Sequence, residues 1–192
     1  MIPARVVLAV TGASGAALAM RVAQRLVPVP GVETHLVVSS AAERTLHHEC
    51  GAGALDMLKS HAHHVYDASD VGATIASGSF RTQAMLVVPC SMRTLAAIAA
   101  GLADNLIVRA ADVHLKERRR LVLVARETPL HLGHLRNMSQ VTEFGAIVMP
   151  PVPAFYALPQ SIEDIIDHLA ARAIDLLGLA GIPQTRPWLG DG

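Results

Sequence analysis

Cysteine, aromatic residues and long apolar runs are all scarce in this sequence, and each scarcity excludes a class of protein. The two cysteines, Cys50 and Cys90, have neither disulfide nor zinc-site spacing, which indicates a reducing compartment. No apolar stretch approaches the roughly 18 residues that a membrane-spanning helix needs. The N-terminus lacks the charged, apolar and cleavage regions of a signal peptide. We therefore expect a cytoplasmic protein with no membrane partner.

Charge of one sign is not in excess either, since 16 basic and 16 acidic residues give a formal net charge of zero. The one basic cluster, residues 116–120, is interpreted as a solvated helix end, so we expect no nucleic-acid partner. Apolar residues make up 52% of the 192-residue chain, which is enough to bury a substantial core. We expect residues 1–192 to form one domain, with a C-terminal tail over residues 180–192.

Apolar, β-branched runs alternate with helical patterns along the whole chain. Five runs are interpreted as strands, at residues 6–10, 32–38, 84–88, 121–125 and 146–149. Continuous apolar strands separated by helices are typical of a parallel sheet that is covered on both faces. The sequence therefore predicts an α/β fold with a doubly wound, mostly parallel sheet, a Rossmann-like or flavodoxin-like three-layer sandwich in a single domain.

A glycine turn joins the first strand to the first helix, within residues 5–26. Gly12 permits the unusual backbone angles of the turn, Gly15 allows close approach, and Thr11 and Ser14 add hydroxyl donors. Because backbone N–H groups at a helix start favour an anion, a phosphate is the expected occupant. The motif is not G-x-G-x-x-G, and the second strand ends in serines, which favours a mononucleotide over a dinucleotide. The alternative is that the glycines only make a tight connection.

Hydroxyl side chains follow three of the predicted strands. Ser14, Ser39 and the pair Ser91 and Thr94 each stand between a strand and the next helix. Because ligands of open α/β sheets bind at the carboxyl ends of the strands, we expect these hydroxyls to converge on one crevice. Helix capping explains each hydroxyl singly, and explains all of them together less well.

A charged pair, Arg126 and Glu127, follows the fourth predicted strand and reaches the same crevice. Charged groups are costly to hold at such a position without a task, so the pair is interpreted as functional. The alternative is a structural ion pair at the end of the strand.

Histidines stand close together at positions 61, 63 and 64, which is one mark of a metal site. Their spacing fits no helix face, and no thiolate or carboxylate stands at ligand distance in the sequence. We interpret the segment as a polar edge of the fold and predict no metal ligands.

Longer blocks of sequence are more specific than the glycine turn. They read TGASGA at 11–16, ETHLVVSSAAERTLHHE at 33–49, ASGSFRT at 76–82, VVPCSMRTLAAIAAG at 87–101, RAADVHLKERRRLVLVARETPLHLGHLRNM at 109–138 and MPPVPAFYALPQSIEDI at 149–165. Through these blocks nearly the whole chain resembles the UbiX/Pad family of flavin prenyltransferases.

The resemblance implies a reaction in which a dimethylallyl group is joined to N5 and C6 of reduced FMN. The donor would be dimethylallyl monophosphate, with the diphosphate left open, and the reaction would need no metal. The product, prenylated FMN, would be the cofactor of a partner UbiD-type decarboxylase. The resemblance also implies a homo-oligomer, based on trimers and up to a dodecamer, with the site between subunits.

Individual roles are carried over from the same resemblance. The FMN phosphate and ribityl chain would be held by Gly12, Ala13, Ser14, Ser39, Ser91, Met92, Arg93 and Thr94. Arg126 would face both the flavin and the prenyl phosphate. That phosphate would be clamped by Lys116, Tyr156 and Arg172, with support from Arg109. The catalytic acid and base would be Glu127, with Lys116 also catalytic and Glu49 as a second acidic position.

Some alternatives and departures from the family pattern stay open. Arg172 could instead pair with Asp175 on its own helix. Some members carry a tryptophan before the ASGS loop, where this chain offers Val71 and Ile75, which leaves the prenyl-chain length open. Members often have Arg-Trp in the tail, where this chain has Pro187 and Trp188.

Two other functions remain open, one for a protein of the same fold class and one for a protein that binds the same cofactor, FMN. One is an FMN-dependent cysteine-type decarboxylase, which typically carries an asparagine where this chain reads PCSMRT. The other is a non-catalytic FMN-binding accessory subunit of an aromatic-acid decarboxylase, which would not need a phosphate clamp.

Overall fold

Six parallel strands form one sheet in the computed structural model, which describes residues 3–179 and 184–185. The strands are β1 Ala4–Val10, β2 Val32–Val38, β3 His64–Asp67, β4 Ala84–Cys90, β5 Arg120–Ala125 and β6 Ile147–Val148. Their order across the sheet is β3-β2-β1-β4-β5-β6, so the chain order reverses between β1 and β4. This is the order of a doubly wound sheet, and the predicted fold class is confirmed.

Helices cover both faces of this sheet and complete the three layers. They are α1 Ala16–Leu26, α2 Ser40–Cys50, α3 Ala54–Ser60, α4 Met92–Ala99, α5 Leu106–Lys116, α6 Leu132–Glu143 and α7 Ile162–Asp175. The helices α1, α2, α3 and α7 share one hydrophobic cluster with the sheet, and α4, α5 and α6 share the other. None of the described helices is both long enough and apolar enough to cross a membrane.

The strand β1 shows how the sequence builds two cores at once. Because side chains alternate along a strand, Val6, Leu8 and Val10 enter one hydrophobic cluster, whereas Val7 and Ala9 enter the other. All five side chains are buried. The near-continuous apolar runs of the sequence are therefore explained by a sheet with helices on both faces.

Helix boundaries follow side-chain caps rather than hydrophobic periodicity alone. In the sequence, Ser161 followed three residues later by Asp164 predicts a helix start, and the structure confirms it, since the two residues form a reciprocal capping box before α7. The helix α4 begins at Met92, earlier than its apolar pattern suggests, because the Ser91 hydroxyl caps it.

The strand β3 is the element that the sequence interpretation missed. The segment was expected to be a polar edge, and it does lie at the edge of the sheet, where it pairs in parallel with β2. It contains only four residues and is mostly exposed, so it has little apolar signal.

The two ends of the strands are named separately from the edge strands β3 and β6. We call the side of the sheet where the strands end the carboxyl edge, and the side where they begin the amino edge.

Candidate active site

A crevice of about 870 Å³ opens at the carboxyl edge, beside the point where the strand order reverses. It brings together five of the residues that the sequence assigns to the flavin phosphate and ribityl chain, which are Gly12, Ser39, Ser91, Arg93 and Thr94. Of the hydroxyls expected to converge, Ser39, Ser91 and Thr94 therefore meet in this crevice, whereas Ser14 does not line it and hydrogen-bonds Glu49 instead.

Gly12 lies where the chain leaves β1 and passes against the start of α2. A Cβ atom at this position would lie 2.5 Å from Cβ of Ala41 and 3.2 Å from its carbonyl carbon. Any larger residue would push these two segments apart, so glycine is required by close packing here. The prediction that Gly12 supplies the unusual backbone angles of the turn is wrong, because the left-handed angle belongs to Gly15, at φ 118°.

The hydroxyl of Thr11 does not have the role that the sequence suggests. It donates to the Pro89 carbonyl oxygen at 2.8 Å and accepts from the Ser91 backbone N–H at 2.8 Å. The residue is buried, with 2% of its surface exposed. Thr11 therefore joins the ends of β1 and β4, and its interpretation as a phosphate donor is wrong.

The start of α1 already holds an anion, and that anion is the carboxylate of Glu49. One oxygen accepts from the backbone N–H groups of Gly15 and Ala16, at 2.9 Å and 2.8 Å. Desolvation raises the pKa of Glu49, but the hydrogen bonds from Ser14, Gly15 and Ala16 and the charge of Arg126 together bring it below its usual value. The expectation that these first amides of α1 are open to a phosphate is therefore wrong, whereas Ser14, Glu49 and Arg126 form one group.

Ser39 and Ser91 both cap helices at the floor of the crevice, as the capping alternative predicts. Ser39 accepts from the Ala42 N–H at 3.2 Å, and Ser91 accepts from the Thr94 N–H at 3.3 Å. A cap uses only the acceptor capacity of a hydroxyl. Because both serines also line the crevice, the O–H of Ser39 remains able to donate to a ligand.

The first turn of α4 provides the other side of the crevice. Arg93 is exposed and forms an ion pair with Asp104, whose second oxygen accepts from Asn105 at 3.2 Å. Met92 packs against the hydrophobic cluster beneath the helix. The guanidinium therefore stands at the rim, where a ligand phosphate can compete with the carboxylate for it.

Arg126 and Glu127 stand in the loop that follows β5. The Arg126 N–H donates to the Cys90 carbonyl at 3.1 Å, which keeps this loop beside the end of β4. Both side chains are exposed, and one Glu127 oxygen accepts from the Thr128 N–H at 3.0 Å. No ion pair joins Arg126 to Glu127 in the described part of the chain, so the structural ion pair that was the alternative is not formed.

Lys116 lies at the opposite edge of the sheet from Glu127. It ends α5, and the chain then enters β5 at the amino edge. A strand of six residues such as β5 spans about 20 Å. Within a single copy of the chain, Lys116 and Glu127 are therefore too far apart to act on the same ligand. The Lys116 ammonium instead pairs with the adjacent Glu117 carboxylate, and both groups are exposed.

Two arginines hold the loop that contains the ASGS segment. Arg109 donates to the Ala76 carbonyl at 3.2 Å and to the Asp112 carboxylate at 2.8 Å. Arg119 donates to the carbonyls of Gly78 and Phe80. The interpretation of the basic cluster as wholly solvated is therefore wrong, since Arg119 is partly buried and fixes this loop.

Tyr156 contacts His168, which lies on the same helix as Arg172. Tyr156 lies in the turn Phe155–Ala157 and meets the His168 ring edge-on, with 6.4 Å between ring centroids. His168 and Arg172 stand four residues apart on α7, hence on one face of the helix. Asp175 accepts from the N–H groups of Gln184 and Thr185, at 2.7 Å and 3.1 Å, and its pairing with Arg172 is not formed within the described ranges.

The two departures from the family pattern have different outcomes. Of the two residues that stand where some members have a tryptophan, Ile75 is buried, with 1% of its surface exposed, and Val71 is 47% exposed. Only Val71 therefore presents a side chain to the surface beside the ASGS loop. Pro187 and Trp188 lie outside the described residues.

Sequence reasoning missed Asp67 and Ser69, which follow β3 and line the crevice. The backbone N–H and the hydroxyl of Ser69 donate to Asp67, each at 2.8 Å, and lower the pKa of that carboxyl. The missing signal was β3 itself. A strand assignment at His64–Asp67 would have placed a fourth polar strand end at the same edge.

A doubly wound sheet with a hydroxyl-lined crevice beside its switch point defines a nucleotide-binding α/β protein. The chain matches the Flavoprotein family model over residues 2–174. It is 50% identical to the probable UbiX-like flavin prenyltransferase of Streptomyces sp. (strain D7), over 97% of this chain and 92% of that protein. It is also 50% identical to the flavin prenyltransferase UbiX of Escherichia coli (strain K12), over 89% of this chain and 90% of that protein.

Solved structures agree with these relatives. The crystal structure of AnUbiX (PadA1) in complex with FMN and dimethylallyl pyrophosphate matches with a TM-score of 0.90 and 50% identity, over 98% of each chain. The dodecameric FMN-dependent UbiX-like decarboxylase of Escherichia coli O157:H7 matches with a TM-score of 0.92 and 46% identity, over 97% of this chain and 100% of that chain. This chain belongs to the Flavoprotein family and, within it, to the UbiX-like flavin prenyltransferases.

Proposed function

We propose that this protein transfers a dimethylallyl group from its phosphate ester to N5 and C6 of reduced FMN, giving prenylated FMN. The observation that carries the proposal is the carboxyl edge, where a crevice lined by hydroxyls lies near an exposed arginine and an exposed glutamate whose charges are not paired with each other. The 50% identity to flavin prenyltransferases over nearly the whole chain supports the same reaction.

The crevice fits a flavin mononucleotide. Its volume of about 870 Å³ lies within the usual range of cofactor sites. Gly12 brings backbone to the wall of the crevice, and Ser39 and Ser91 bring hydroxyls for phosphate and ribityl oxygens. We assign FMN binding to Gly12, Ala13, Ser14, Ser39, Ser91, Met92, Arg93, Thr94 and Arg126. The relative AnUbiX (PadA1), solved with FMN, supports this assignment.

The departing phosphate needs fixed positive charge, because negative charge develops on it as the ester bond breaks. Arg172 offers a planar fork and Lys116 a point charge, with Tyr156 as a hydroxyl donor and Arg109 in support. Tyr156 borders a second cavity of about 580 Å³ between the turn Phe155–Ala157 and α7, and Arg172 follows Ala171, which lines the same cavity. The donor would be dimethylallyl monophosphate or the diphosphate.

The position of Lys116 requires a second copy of the chain. Since Lys116 and Glu127 lie at opposite edges of one sheet, a shared site forms only if a neighbouring subunit presents its own Lys116. We therefore propose a homo-oligomer built from trimers, up to a dodecamer, with active sites between the subunits. The dodecameric relative from Escherichia coli O157:H7 supports this assembly.

The reduced flavin supplies the two nucleophilic atoms, and the protein supplies the proton transfers. Glu127 donates a proton to the phosphate as the ester C–O bond breaks and its electron pair leaves with the phosphate oxygen. N5 bonds to the carbon that the oxygen leaves and releases its proton, which adds to the remaining C=C bond. C6 then bonds to the cationic carbon so formed, and the Glu127 carboxylate accepts the proton that C6 releases. Glu49 and Ser14, joined by a hydrogen bond, form the polar wall beside Arg126.

We further propose where the protein and its product act. The chain would be one flavin-binding domain over residues 1–192, and it would work in the cytoplasm, where the thiols Cys50 and Cys90 stay reduced. Its prenylated FMN would pass to a UbiD-type decarboxylase.

Mass spectrometry of the flavin tests the reaction directly. The protein is incubated without oxygen with reduced FMN and, in parallel, with dimethylallyl monophosphate or the diphosphate. We expect the released flavin to gain one five-carbon prenyl unit with at least one donor. Tight binding of FMN with no adduct from either donor would overturn the proposal and favour an accessory flavin-binding subunit.

A further inference from the structure

A second group of chemically active side chains lies on the sheet, away from the crevice. The pairing of β2 with β3 sets His35 directly beside His64, and Glu33 stands two residues before His35 on the same face of β2. The imidazole rings of His35 and His64 stack with 4.7 Å between centroids. We call Glu33, His35 and His64 the β2–β3 cluster.

One nitrogen of His35 is buried and has no hydrogen-bond partner. The residue is only 1% exposed, its Nδ1 lies 2.9 Å from the Tyr66 hydroxyl, and that hydroxyl lies 3.0 Å from Oγ1 of Thr74. Its Nε2 is without a partner among the described residues and points toward Glu33, with 3.7 Å between Nε2 and Oε1. Leaving a buried polar atom unsatisfied is costly, so this nitrogen calls for a ligand.

The other two members of the cluster face the same point. His64 Nε2 lies 2.7 Å from the same Glu33 oxygen, and the three potential ligand atoms all lie within 4.8 Å of one another. The second Glu33 oxygen accepts from Nε of Arg5 at 3.2 Å, which orients the carboxylate and leaves Oε1 directed at the histidines. The cluster therefore joins two imidazoles and one carboxylate from adjacent strands.

We propose that the β2–β3 cluster binds one Zn²⁺ ion per chain through Nε2 of His35, Nε2 of His64 and Oε1 of Glu33. Two imidazoles and one carboxylate, with a solvent molecule as the fourth ligand, are a donor set that zinc accepts. Ligand atoms around a tetrahedral zinc lie about 3.3 Å apart, since each lies about 2.0 Å from the metal. The side chain of His64 is 51% exposed, so it has room to rotate toward that geometry.

The partners behind the ligands suit a metal. A histidine that binds zinc through Nε2 carries its proton on Nδ1 and donates it to a fixed acceptor. Nδ1 of His35 can donate a hydrogen bond to the Tyr66 hydroxyl, and that hydroxyl can in turn donate to Thr74. All three groups then have a hydrogen-bond partner. Bound to both β2 and β3, the ion would fasten the short edge strand to the sheet.

None of the three ligand residues lines the crevice of the proposed prenyl-transfer site, although Tyr66, whose hydroxyl contacts His35, does. Glu33 is the second residue of β2, whereas Ser39 follows the end of that strand, so about 20 Å separates them along it. The bound ion would therefore stabilise the fold and take no part in the transfer. Its test does not depend on whether the protein makes prenylated FMN.

Calorimetric titration of the metal-stripped, full-length protein with Zn²⁺ tests the proposal, with Mg²⁺ as a comparison. We expect one Zn²⁺ per chain and a rise in Tm, because an ion that binds only the folded state stabilises it. His64→Ala and Glu33→Gln should each weaken Zn²⁺ binding by at least about tenfold. Titration with Co²⁺ should give the visible absorption of a four-coordinate ion, and His64→Ala should remove it.

The matched control is His48→Ala, which removes another exposed histidine that lies on α2, away from the cluster. This variant should bind Zn²⁺ as the unchanged protein does. Absence of Zn²⁺ binding in the unchanged protein would overturn the proposal. Binding that both His64→Ala and Glu33→Gln leave unchanged would overturn it equally, even if His48→Ala weakens it.

Discussion

The amino and carboxyl edges of the sheet use their polar groups in opposite ways. At the amino edge, Arg119 donates to two carbonyls and to the Thr82 hydroxyl, and His114 is buried with both ring nitrogens hydrogen-bonded. At the carboxyl edge, Arg126 and Glu127 are exposed, and within the described residues they form no ion pair with each other. These polar groups at the amino edge serve the fold, whereas Arg126 and Glu127 at the carboxyl edge are left for a ligand.

Lys116 is the exception that links the two edges. It lies at the amino edge, where its ammonium forms an exposed pair with the next residue, Glu117. Exposed pairs of this kind contribute little to stability, so the ammonium can leave Glu117 for a phosphate at small cost. The comparison therefore predicts that carboxyl-edge substitutions, together with Lys116, affect activity, whereas substitutions at His114 affect stability.

The largest expected effect is that of Glu127→Gln. An amide can neither give nor take the proton, so the rate of prenylated FMN formation should fall by about 10²- to 10⁴-fold. The measurement is the initial rate of adduct formation by mass spectrometry. Glu143→Gln, on the exposed face of α6, is the matched control and should keep the full rate. A Glu127→Gln rate close to that of the control would contradict the acid–base assignment.

Mixed oligomers test whether a neighbour supplies Lys116. Lys116→Ala and Glu127→Gln should each be nearly inactive alone, because every site lacks one group. When the two variants are dissociated and reassembled together at equal amounts, about a quarter of the sites should receive both native residues by random assortment. Activity of the mixture should rise accordingly, while each variant treated alone stays inactive. A mixture that gains nothing would contradict the shared site.

Strand pattern and caps explain how much of this fold was predictable from the sequence. The apolar runs of β1, β2, β4, β5 and β6 and the capping residue Ser161 are local signals, and they were interpreted correctly. The strand β3 was missed because four largely exposed residues become a strand only through pairing with β2. Local patterns carry little information about such long-range pairing.

The same limit applies to the candidate site. The convergence of Ser39 and Ser91 followed from the rule that parallel strands end at one edge. The contact of Glu49 with the start of α1 joins residues 34 positions apart, and no local pattern announces it. The histidine segment appeared to lack a carboxylate for the same reason, since Glu33 arrives from the neighbouring strand.

At the amino edge, His114 should make the fold sensitive to acid. Burial lowers its pKa to about 4, from a usual 6.5, so the unfolded chain binds a proton more readily between these values. The contribution of neutral His114 to the free energy of unfolding is therefore complete above pH 6.5. It is lost as the pH falls toward 4, and the loss amounts to at most about 3 kcal/mol. His35, whose pKa burial also lowers to about 4, adds to the same loss.

Urea unfolding of the protein and of His114→Gln between pH 7 and pH 4 measures this effect. Glutamine can still donate to the Ala110 carbonyl and accept from Thr82, but it does not titrate. The variant should therefore lose roughly half as much unfolding free energy on acidification, because His35 still titrates. An acid response identical to that of the unchanged protein would contradict the assignment to His114.

The smallest expected effect is at the carboxyl edge, for Glu49→Gln. The amide oxygen can still accept from Gly15 and Ala16, but the negative charge at the start of α1 is lost. Because the group is exposed and screened by water, we expect a loss below about 1 kcal/mol at neutral pH. The pKa of Glu49 is lowered in the folded protein, so its contribution is present above the usual value of 4.5 and disappears as the pH falls below it. Urea unfolding should therefore show a small difference in unfolding free energy between the unchanged protein and Glu49→Gln at pH 7, and no difference in acid. A difference that stays constant at every pH would mean that packing, not charge, holds Glu49 at the helix.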